Sequence, residues 1–450
     1  MTPALPVAII GAGPVGLAAA AHALQRGLTP IVFEAGDQVG AGVRRWGHVR
    51  LFSPWSYAVD AVAHARLAAT GWARPDDHAY PTGLELVSRY LEPLAATMAA
   101  HIRLGTRVVS VTREGHDVMT QAGREAAPFV VRLDGQNGEE DVRAQAVIDA
   151  SGTIDTPGWL GASGVPALGE RAAQSRLSYG IPDVLGVLRH RYAHRRVLVV
   201  GSGHSALNAL LDLARLRDEA PDTTITWALR RPSIGTRLGG ARPDQLEARG
   251  ALGTAVRRLL DSGQLALCTG FRADRVVMHD DGVTVVSGPK QIGPVDEVIV
   301  ATGFRPDWSI LSELRLDLDP AVQSPRALAP LIDPNVHSCG TVRPHGAEAL
   351  KQPEPNLFAI GMKSYGRAPT FLLLTGYEQA RSVVSAIAGD WDAARRVDLV
   401  LPDTGVCATD RIDDSAGCCS TAPDPAARFT PPAGARLLTT ISEPAKAGCC

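Results

Sequence analysis

The chain has 450 residues, of which 45% are hydrophobic, and its formal net charge is −2. This length allows two or three domains, and the apolar fraction is sufficient for packed cores. A charge near zero provides no basic surface for nucleic acid, so no nucleic-acid partner is expected. The apolar run at the N-terminus is short, contains glycines and lacks a basic leader. We therefore expect neither a signal peptide nor a membrane anchor, and a cytoplasmic protein.

A first glycine-rich turn, GAGPVG, occupies residues 11–16 and follows the strand-like run VAII. A helix is predicted over residues 15–26. In such a strand-turn-helix unit the first glycine permits the tight turn, the second lets backbone approach a pyrophosphate, and the third lets the helix lie close to the sheet. The phosphates then lie at the positive end of the helix. The candidate contacts for this dinucleotide are Gly11, Gly13, Pro14 and Gly16.

A second predicted strand, residues 30–33, ends on Glu34. An acidic side chain at this distance from the glycines accepts hydrogen bonds from a ribose, which predicts a free 2′-hydroxyl as in FAD or NAD. An ordinary glycine loop is the competing interpretation.

The next predicted elements are a helix over residues 84–101 and three strands, over residues 103–111, 129–133 and 146–150. Polar, glycine-containing segments separate these strands, as hairpins require. The last strand is apolar and leads into Ser151-Gly152. This strand is expected to end the first segment of the first domain.

A second glycine-rich turn, GSGHSA, occupies residues 201–206 between a strand at 196–200 and a helix predicted over 205–216. Alanine replaces the third glycine, a change that this fingerprint tolerates. The following strand, residues 224–229, ends on two arginines, and guanidinium groups suit a 2′-phosphate, so NADPH is expected rather than NADH. A solvated basic strand end is the alternative for the arginines, and a backbone-bonded helix start is the alternative for His204. The candidate contacts are Gly201, Gly203, His204, Ser205, Arg230 and Arg231.

The remaining strands are predicted at residues 276–278, 283–286 and 297–300, and the last of them leads into ATGF at residues 301–304. There the chain is expected to return to the first domain. The predicted domains are residues 1–160 for the first part of the FAD domain, 161–302 for an inserted NADPH domain, 303–395 for the second part of the FAD domain, and 396–450 for a flexible tail.

The cysteines exclude the electron route of two related enzyme classes. None of them precedes Cys268, and the second domain contains no Cys-x-x-Cys. A glutathione-reductase-like or thioredoxin-reductase-like relay needs such a thiol pair. Electrons that reach a flavin here must leave by another route, for which dioxygen is the natural acceptor.

Together, the two turns, ATGF at 301–304 and LFAIG at 357–361 with the helix-like run 374–387 resemble the two-dinucleotide-domain flavoproteins, especially class B flavin-dependent monooxygenases. The resemblance covers about residues 5–390. It implies an α/β fold with two Rossmann-like domains of the three-layer ββα type, with a final segment that closes over the flavin. The aromatic residues at 46–55 fit the flavin face and equally fit a core. The cofactor contacts so implied are Trp46, Phe52, Ser53, Val108, Ser151, Gly152, Thr302, Gly303, Gly361, Met362, Thr370 and Phe371.

One departure from that family concerns the stretch before the second turn. Typical members carry Phe-x-Gly-x-x-x-His there, whereas residues 179–186 read YGIPDVLG. Ketone insertion is therefore disfavoured, and a divergent branch is expected.

After about Trp391 the chain is rich in Pro, Asp, Thr and Ala, and it is predicted to be largely disordered. Soft thiolates on such a tail suit a thiophilic ion such as arsenic(III) or mercury(II), and no histidines accompany them at zinc-ligand spacing. The tail resembles those of flavin monooxygenases from arsenic-resistance gene clusters, and its terminal pair is similar to the mercuric-reductase device. Incidental thiols are an equal alternative. The candidate ligands are Cys407, Cys418, Cys419, Cys449 and Cys450.

These features predict an FAD- and NADPH-dependent monooxygenase with dioxygen and a small molecule as its partners. The resemblance implies that a C4a-peroxyflavin transfers one oxygen atom to a soft nucleophile, either a trivalent arsenical or an organic sulfur or nitrogen compound. No catalytic side chain is singled out, and a homodimer is left open. Two alternatives stand: an NADPH-dependent reductase that uses the tail thiols as a relay, and a metalloid-binding protein without turnover.

Overall fold

The computed structural model describes residues 4–136, 138–234, 247–336, 345–369 and 371–399. In this part of the chain the strands are β1 (Val7–Ile10), β2 (Pro30–Phe33), β3 (Ile102–Arg103), β4 (Arg107–Arg113), β5 (Phe129–Gly135), β6 (Gly138–Ala144), β7 (Ala146–Asp149), β8 (Leu177–Tyr179), β9 (Arg196–Val200), β10 (Thr224–Ala228), β11 (Ala266–Cys268), β12 (Arg275–His279), β13 (Gly282–Ser287), β14 (Lys290–Val295), β15 (Glu297–Val300) and β16 (Leu357–Ala359).

The α-helices of the same residues vary from single turns to sixteen residues. They are α1 (Pro14–Gln25), α2 (Ala41–Arg44), α3 (Ala61–Ala68), α4 (Gly83–Leu86), α5 (Glu92–Ala96), α6 (Arg189–Tyr192), α7 (His204–Glu219), α8 (Glu247–Asp261), α9 (Ala329–Ile332), α10 (Ala347–Leu350), α11 (Leu373–Ile387) and α12 (Trp391–Arg395). None of these described helices is both long and apolar enough to cross a lipid bilayer.

The first sheet is parallel and has the strand order β16-β7-β1-β2-β3. Its central strand alternates its side chains between two faces. Val7 and Ile9 pack in one core with α1 and α11, whereas Ala8 and Ile10 pack in another with the antiparallel sheet β4-β5-β6. The first half of the molecule therefore has three layers: helices, a parallel sheet and an antiparallel sheet.

The second sheet repeats this arrangement with the parallel order β11-β10-β9-β15-β8. Val197 and Val199 of β9 pack with α7 and α8, whereas Leu198 and Val200 pack toward the antiparallel sheet β12-β13-β14. Because β9 is apolar at every position after Arg196, both of its faces can be covered, as a central parallel strand requires.

The second sheet is inserted in the sequence of the first, since the chain leaves after β7 and returns before β16. The outgoing and returning segments are hydrogen-bonded to each other. The amide of Gly158 donates to the carbonyl of Gly303 at 2.7 Å, and the amide of Arg305 donates to the carbonyl of Thr156 at 2.9 Å. The predicted fold class is confirmed, while the predicted domain boundaries stay predictions.

Two predicted elements are divided in the structure. The single strand expected over residues 103–111 is wrong, because Gly105 adopts a left-handed φ of +59° and places β3 and β4 in different sheets. The helix expected over residues 84–101 consists of α4, a wider π-helical turn at Val87–Leu91, and α5. Its start is fixed by a capping box, in which Thr82 and Glu85 each accept the other's backbone amide hydrogen bond.

Sequence inspection also missed several elements, among them β6, β8, β11, α3 and the fifteen-residue α8. Two others, β14 and α12, were missed for identifiable reasons. β14 adds a third strand to the second antiparallel sheet, and it was not expected because its sequence KQIGPV contains glycine and proline. α12 begins at Trp391, where the sequence becomes rich in Pro, Asp, Thr and Ala. Its Ala393 and Ala394 are buried. Most of the predicted tail, residues 400–450, lies outside the described residues.

Candidate functional site

The first glycine turn connects β1 to α1 with little room around two of its glycines. A Cβ on Gly16 would lie 2.0 Å from the carbonyl oxygen of Gly11, and a Cβ on Gly11 would lie 2.8 Å from the carbonyl oxygen of Ala150. Gly11 also has a left-handed φ of +101°. Side chains at these two positions are therefore sterically excluded.

Gly13 is different, because a Cβ there would meet no atom within 4 Å. It is the N-cap of α1, whose first turn contains Pro14 and has no side-chain cap. The first amides of a helix have no partner within the helix, and they carry a partial positive charge. Open space in front of these amides fits the pyrophosphate of a dinucleotide such as FAD.

Glu34 follows β2 and is half-buried beside this turn. Its carboxylate accepts hydrogen bonds from the amides of Ala12, at 2.8 Å, and Gly36, at 2.9 Å. A carboxylate has about four acceptor positions, so two remain for ribose hydroxyls. The predicted role of Glu34 in binding a ribose is compatible with this geometry.

The second glycine turn connects β9 to α7. Gly201 has a φ of +137°, and a Cβ there would lie 2.2 Å from the carbonyl oxygen of Ala301. Its own carbonyl accepts a hydrogen bond from the indole of Trp227 at 2.7 Å. As at Gly13, a Cβ on Gly203 would meet nothing within 4 Å, and α7 has no side-chain cap. The turn therefore fits a second pyrophosphate at a helix N-terminus.

The two predicted arginines follow β10 at the carboxyl edge of the second sheet, the edge at which such sheets bind nucleotides. Arg230 is exposed and Arg231 is half-buried. The carbonyl of Arg231 accepts a hydrogen bond from the amide of Gly270. Both positions are compatible with the predicted 2′-phosphate contact.

The structure brings the two predicted sites together at Phe52 and His204. Their ring centroids are 5.2 Å apart, with an interplanar angle of 40°. Phe52 belongs to the aromatic segment at residues 46–55, and His204 is the first residue of α7, next to Ser205. The contact joins the part of the chain predicted to face the flavin with the turn predicted to hold NADPH.

The other predicted contacts of the aromatic segment, Trp46 and Ser53, fit the interpretation that this segment belongs to the protein core. The ring of Trp46 packs against Gly83, where a Cβ would lie 2.8 Å from its Cε3 atom. Ser53 is buried, and Trp55 is fully buried beneath the guanidinium of Arg89. Of this segment, Phe52 is the predicted contact that reaches the second half of the molecule.

The segment after β16 lies against the first glycine turn. A Cβ on Gly361 would lie 3.4 Å from Val15, and a Cβ on Gly376 would lie 2.5 Å from Val15 and 2.8 Å from Phe371. Gly361 and Phe371 therefore lie near the start of α1, and Met362 is half-buried. Their predicted flavin contacts stay predictions. Thr370 lies outside the described residues.

Val108, Ser151 and Gly152 were also predicted to contact a cofactor, and each has a different environment. The side chain of Val108 is buried between the two sheets of the first half, so only its backbone is left for the predicted cofactor contact. Ser151 is exposed, and its hydroxyl donates to Asp149 at 2.6 Å. A Cβ on Gly152 would meet nothing within 4 Å.

At the return crossing, the hydroxyl of Thr302 donates to the carbonyl of Gly158 at 2.7 Å. Gly303 has a φ of +91° and open space around its Cβ position. Thr302 therefore ties the two crossing segments together, and its predicted cofactor contact stays a prediction.

Sequence reasoning missed a buried ion pair between Lys363 and Asp149, whose side chains are 2% and 0% exposed. The ammonium also donates to the hydroxyl of Ser151 at 3.1 Å and lies over the ring of Trp308. A buried pair of this kind is held by its additional hydrogen bonds. The signal available in the sequence was a carboxylate that ends the apolar strand β7.

Arg305 and Arg367 were also missed. Both guanidiniums lie near the loop at Gly164, whose carbonyl accepts a hydrogen bond from Arg305 at 2.7 Å. The two arginines are 62 positions apart in sequence, as their numbers show, and no local pattern connects them.

The predicted soft-metal ligands, Cys407, Cys418, Cys419, Cys449 and Cys450, all lie outside the described residues. Within the described part of the chain, Cys268 is a free, half-buried thiol at the end of β11. That part contains no group of three or more His, Cys, Asp and Glu side chains arranged to hold a metal ion.

Comparisons with known proteins agree with this geometry. Residues 8–330 match the family model described as pyridine nucleotide-disulphide oxidoreductase. A ferredoxin–NADP reductase of Lactobacillus johnsonii is 24% identical over 396 residues, covering 85% of this chain and 94% of the relative. The bacillithiol disulfide reductase of Bacillus cereus is 18% identical with a TM-score of 0.61, over 86% of this chain and 99% of that structure.

A third similar protein is the cadaverine monooxygenase of desferrioxamine biosynthesis from Erwinia amylovora, whose structure contains FAD. It is 14% identical, with a TM-score of 0.61 over 91% of this chain and 100% of that structure. At these identities the two structures support the fold alone.

Proposed function

Because the chain belongs to the pyridine nucleotide-disulphide oxidoreductase family, we propose that it is an NADPH-dependent flavin monooxygenase that transfers one oxygen atom of dioxygen to a soft nucleophile. Family membership confirms the coarser expectations of a flavin-dependent oxidoreductase with FAD and NADP(H) as cofactors. The observation that carries the finer proposal is the absence of any cysteine before Cys268, which leaves no thiol pair for the first glycine turn. The contact between Phe52 and His204 joins the two candidate nucleotide sites.

In this proposal the protein supplies binding, orientation and the exclusion of water, whereas FAD, when bound, supplies hydride acceptance and the activation of dioxygen. The amides at the start of α1 hold the FAD pyrophosphate, and Glu34 accepts hydrogen bonds from its ribose. The amides at the start of α7 hold the NADPH pyrophosphate, and Arg230 faces the 2′-phosphate. The ring contact between Phe52 and His204 links the segment predicted to face the flavin with the start of α7.

The electron route follows from the cysteines. No cysteine precedes Cys268 in the sequence, and this residue lies in the second sheet, far along the chain from the first glycine turn. A relay to a disulfide substrate needs two thiols beside the flavin. Dioxygen, which needs no protein-borne relay, is therefore the proposed acceptor.

The proposed oxygen acceptor is a soft nucleophile, either a trivalent arsenical or an organic sulfur or nitrogen compound. The arsenical is supported only by the cysteine-rich C-terminal sequence, because thiolates bind thiophilic ions. Organic sulfur and nitrogen compounds are the next candidates among soft nucleophiles. The absence of the Phe-x-Gly-x-x-x-His pattern disfavours ketone insertion, but typical amine and sulfide monooxygenases carry the pattern too, so its absence does not favour these compounds.

A second candidate function is an NADPH-dependent reductase that passes electrons to a separate carrier protein. The observation that favours it is the name ferredoxin–NADP reductase, carried by the relative from Lactobacillus johnsonii and by a relative from Salinispora arenicola that is 28% identical over 320 residues.

Simultaneous measurement of NADPH oxidation and oxygen consumption on the purified FAD-loaded protein separates these functions. A monooxygenase consumes oxygen in proportion to NADPH when arsenite, a thioether or an amine is added, and it yields the oxygenated product. A reductase oxidises NADPH without oxygen when ferredoxin is supplied, and this result would contradict the proposal. A metalloid-binding protein turns over in neither assay.

A variant ending at residue 395 tests the contribution of the tail. If the tail captures a metalloid, the truncated protein loses arsenite-stimulated turnover while its basal NADPH oxidation is unchanged. Equal stimulation of the full-length and truncated proteins would remove the support for metalloid capture.

A further inference from the structure

A buried hydrogen-bond network ties the segment after β16 to α11. The amide of Gly361 donates to Oε1 of Gln379 at 2.7 Å. The side-chain nitrogen of Gln379 donates to the hydroxyl of Ser364 at 2.9 Å, and it lies 2.9 Å from Nε2 of His345. The hydroxyl of Ser364 in turn donates to the carbonyl of Gly361 at 2.8 Å. Gln379 and Ser364 are fully buried, and His345 is 5% exposed. We refer to these four residues as the glutamine network.

The bonds of the glutamine network determine which atom donates at each position. A backbone amide needs an acceptor, so the side-chain oxygen of Gln379 is the atom that faces Gly361. The NH2 group of Gln379 then has two donors, one for Ser364 and one for His345. Because Nε2 of His345 meets a donor, it must accept, and the proton of the imidazole lies on Nδ1. The network is complete only while Nε2 of His345 is unprotonated.

Protonation of His345 at Nε2 would place two donors against each other inside the protein. Gln379 cannot relieve this contact by turning its amide over, because its NH2 group would then meet the amide of Gly361, which also donates. One buried donor lacks an acceptor in either orientation, and such a group is destabilising. Acid therefore weakens the attachment of Gly361 to α11.

Gly361 and the rings of the following segment lie beside the first glycine turn. A Cβ on Gly361 would lie 3.4 Å from Val15, the second residue of α1. The ring of His345 lies 5.5 Å from that of Tyr365, and the ring of Tyr365 lies 5.1 Å from that of Phe371 in an edge-to-face contact. The network and these ring contacts connect His345 to Gly361 and Phe371, two of the predicted flavin neighbours.

The charged and phenolic groups on the elements around His345 do not change charge in the range where histidines titrate. Burial raises the pKa values of Tyr365 and Tyr377 from their usual value, so both phenols stay neutral in acid. Carboxylates titrate about two units below histidine. The charged side chains form ion pairs, which are Glu378 with Arg381 on α11, Lys363 with Asp149, and Glu348 with Lys351 on α10.

We propose that Gln379 and His345 are positioning residues for FAD, and that FAD is held tightly only while His345 is unprotonated. Gln379 fixes the amide of Gly361 beside the first glycine turn, and His345 fixes the orientation of the Gln379 amide. Acid that protonates His345 releases the segment after β16, and FAD then dissociates faster. Both residues act through Gly361 and need no contact of their own with the cofactor.

The test is the rate of FAD release from the FAD-loaded full-length protein, followed by flavin fluorescence after dilution. The rate is measured at about pH 8 and about pH 5.5, on either side of the ordinary histidine pKa of about 6.5. The main variant is His345→Gln, because a glutamine oxygen accepts from Gln379 as Nε2 does and takes up no proton in this range.

His22→Gln is the matched control. His22 is also 5% exposed and lies in the first half, but its Nε2 atom is 3.1 Å from the carboxylate of Asp60. A carboxylate accepts from a protonated imidazole, so acid does not break this contact. Circular dichroism at both pH values establishes that each variant is folded.

We expect the wild type to release FAD about tenfold faster at the lower pH, as loss of one buried hydrogen bond implies. His345→Gln should release FAD at the same slow rate at both pH values, whereas His22→Gln should keep the acceleration of the wild type. Absence of the acceleration in the wild type, or its persistence in His345→Gln, would overturn the proposal.

Gln379→Glu is a second variant that tests the same contact with the opposite sign. A carboxylate at this position still accepts from Gly361, and it pairs with protonated His345. This variant should therefore release FAD more slowly at about pH 5.5 than at about pH 8. If His345→Gln does not fold, an acid acceleration in Gln379→Glu equal to that of the wild type would overturn the proposal.

The role of Gln379 and His345 requires only bound FAD and is independent of the proposed oxygen transfer. If acid accelerates FAD release through His345 but the protein oxidises NADPH without consuming oxygen, the positioning role stands and the monooxygenase proposal fails. If the protein turns over as a monooxygenase and releases FAD equally at both pH values, the monooxygenase proposal stands and the positioning role fails.

Discussion

The two glycine turns follow the same plan but differ in how closely the helix approaches the turn. At the first, a Cβ on Gly16 would lie 2.0 Å from the carbonyl oxygen of Gly11. At the second, Ala206 occupies the equivalent position and is fully buried, while its amide donates to Gly203 at 3.0 Å. The second turn accommodates the methyl group that the first excludes, so α1 lies closer to its turn than α7 does.

The two sites also differ at the residue that follows the next strand, which is Glu34 after β2 and Arg230 after β10. Glu34 is half-buried and already fixed by the amides of Ala12 and Gly36. Arg230 is exposed and makes no ion pair within the described residues. A preorganised site loses less entropy on binding, and it retains its ligand longer. The difference suits a resident FAD at the first turn and an exchanging NADPH at the second.

The largest expected effect is that of Gly16→Ala, which should abolish FAD binding because the new methyl group would overlap a backbone oxygen. The measurement is the flavin absorbance per protein chain after purification. Gly13→Ala is the companion variant, because its methyl group meets no protein atom within 4 Å and lies in the proposed phosphate space. It should fold normally and still lose FAD.

Ala206→Gly is the matched control at the second turn. It removes a buried methyl group without a clash, so FAD content should stay at the wild-type level with only a small loss of stability. Normal FAD content in Gly16→Ala would show that the two turns do not differ in the way the geometry indicates.

The next effect concerns stability and compares two buried carboxylates, one in each half. Glu354 accepts hydrogen bonds from Arg113 and Arg124, each at 2.8 Å, and from the amide of Arg315 at 3.2 Å. Both arginine side chains are almost fully buried. Glu354→Gln leaves their charge uncompensated and should reduce the free energy of unfolding by about 3 kcal/mol, measured by urea denaturation.

Glu297 in the second half is the comparison, since it pairs with the less buried Arg191. Burial opposes ionisation at both sites, but hydrogen bonds from Arg124 and Arg113 hold the pKa of Glu354 below its usual value. Burial raises the pKa of Glu297, since its bond from Arg191 is insufficient to offset it. The two carboxyls therefore respond to acid with opposite signs.

Whether acid raises or lowers the free energy of unfolding depends on which state, folded or unfolded, binds the proton more tightly at each carboxyl. The stabilisation from ionised Glu354 is present above pH 4.5 and is lost as the pH falls through the lowered pKa. Folded Glu297 binds its proton more tightly than the unfolded chain does, so its contribution improves as the pH falls toward 4.5 from above. Melting temperatures of the wild type, Glu354→Gln and Glu297→Gln across pH 3 to 7, a range of about four units, check both directions, and parallel curves would contradict the assignment.

The sequence predicted those parts of the molecule that are encoded locally. The turns at 11–16 and 201–206, with their strands and helices, are determined by glycines at fixed spacing within apolar runs, and the fold class followed from them. The division of residues 103–111 was missed because the pattern continues through Gly105, and only the backbone shows its left-handed φ.

The contacts that complete the site are encoded over long distances. Phe52 and His204 come from the two halves of the molecule, and Asp149 and Lys363 follow the neighbouring strands β7 and β16. Arg305 and Arg367 both lie near the loop at Gly164. No periodicity or spacing in a single sequence links such pairs. Lys363 and Arg367 follow β16 without a motif of their own, so the resemblance identified their neighbours Gly361 and Met362 and passed over both charged residues.

A smaller effect is expected from Arg230→Ser. This variant tests whether the charge of Arg230 makes the second site prefer NADPH over NADH. The ratio of kcat/KM for NADPH to that for NADH should fall about tenfold, through loss of a charge-assisted hydrogen bond to the 2′-phosphate. Glu34→Gln is the reciprocal variant, and it should weaken FAD retention without changing this ratio. A fall in the NADH rate equal to that for NADPH would indicate that Arg230 supports the fold instead.

The smallest effect is expected from Phe52→Ala, which tests whether the two turns act together. An aromatic contact contributes about 0.5–1.5 kcal/mol, so the rate of anaerobic flavin reduction by NADPH should fall about two- to twelvefold. FAD content and 2′,5′-ADP binding should be unchanged, because Phe52 belongs to neither turn. Phe52→Tyr keeps the ring facing His204 and should retain most of the rate. An unchanged rate in Phe52→Ala, with both nucleotides bound, would mean that the turns hold their ligands independently and that the ring contact does not align them.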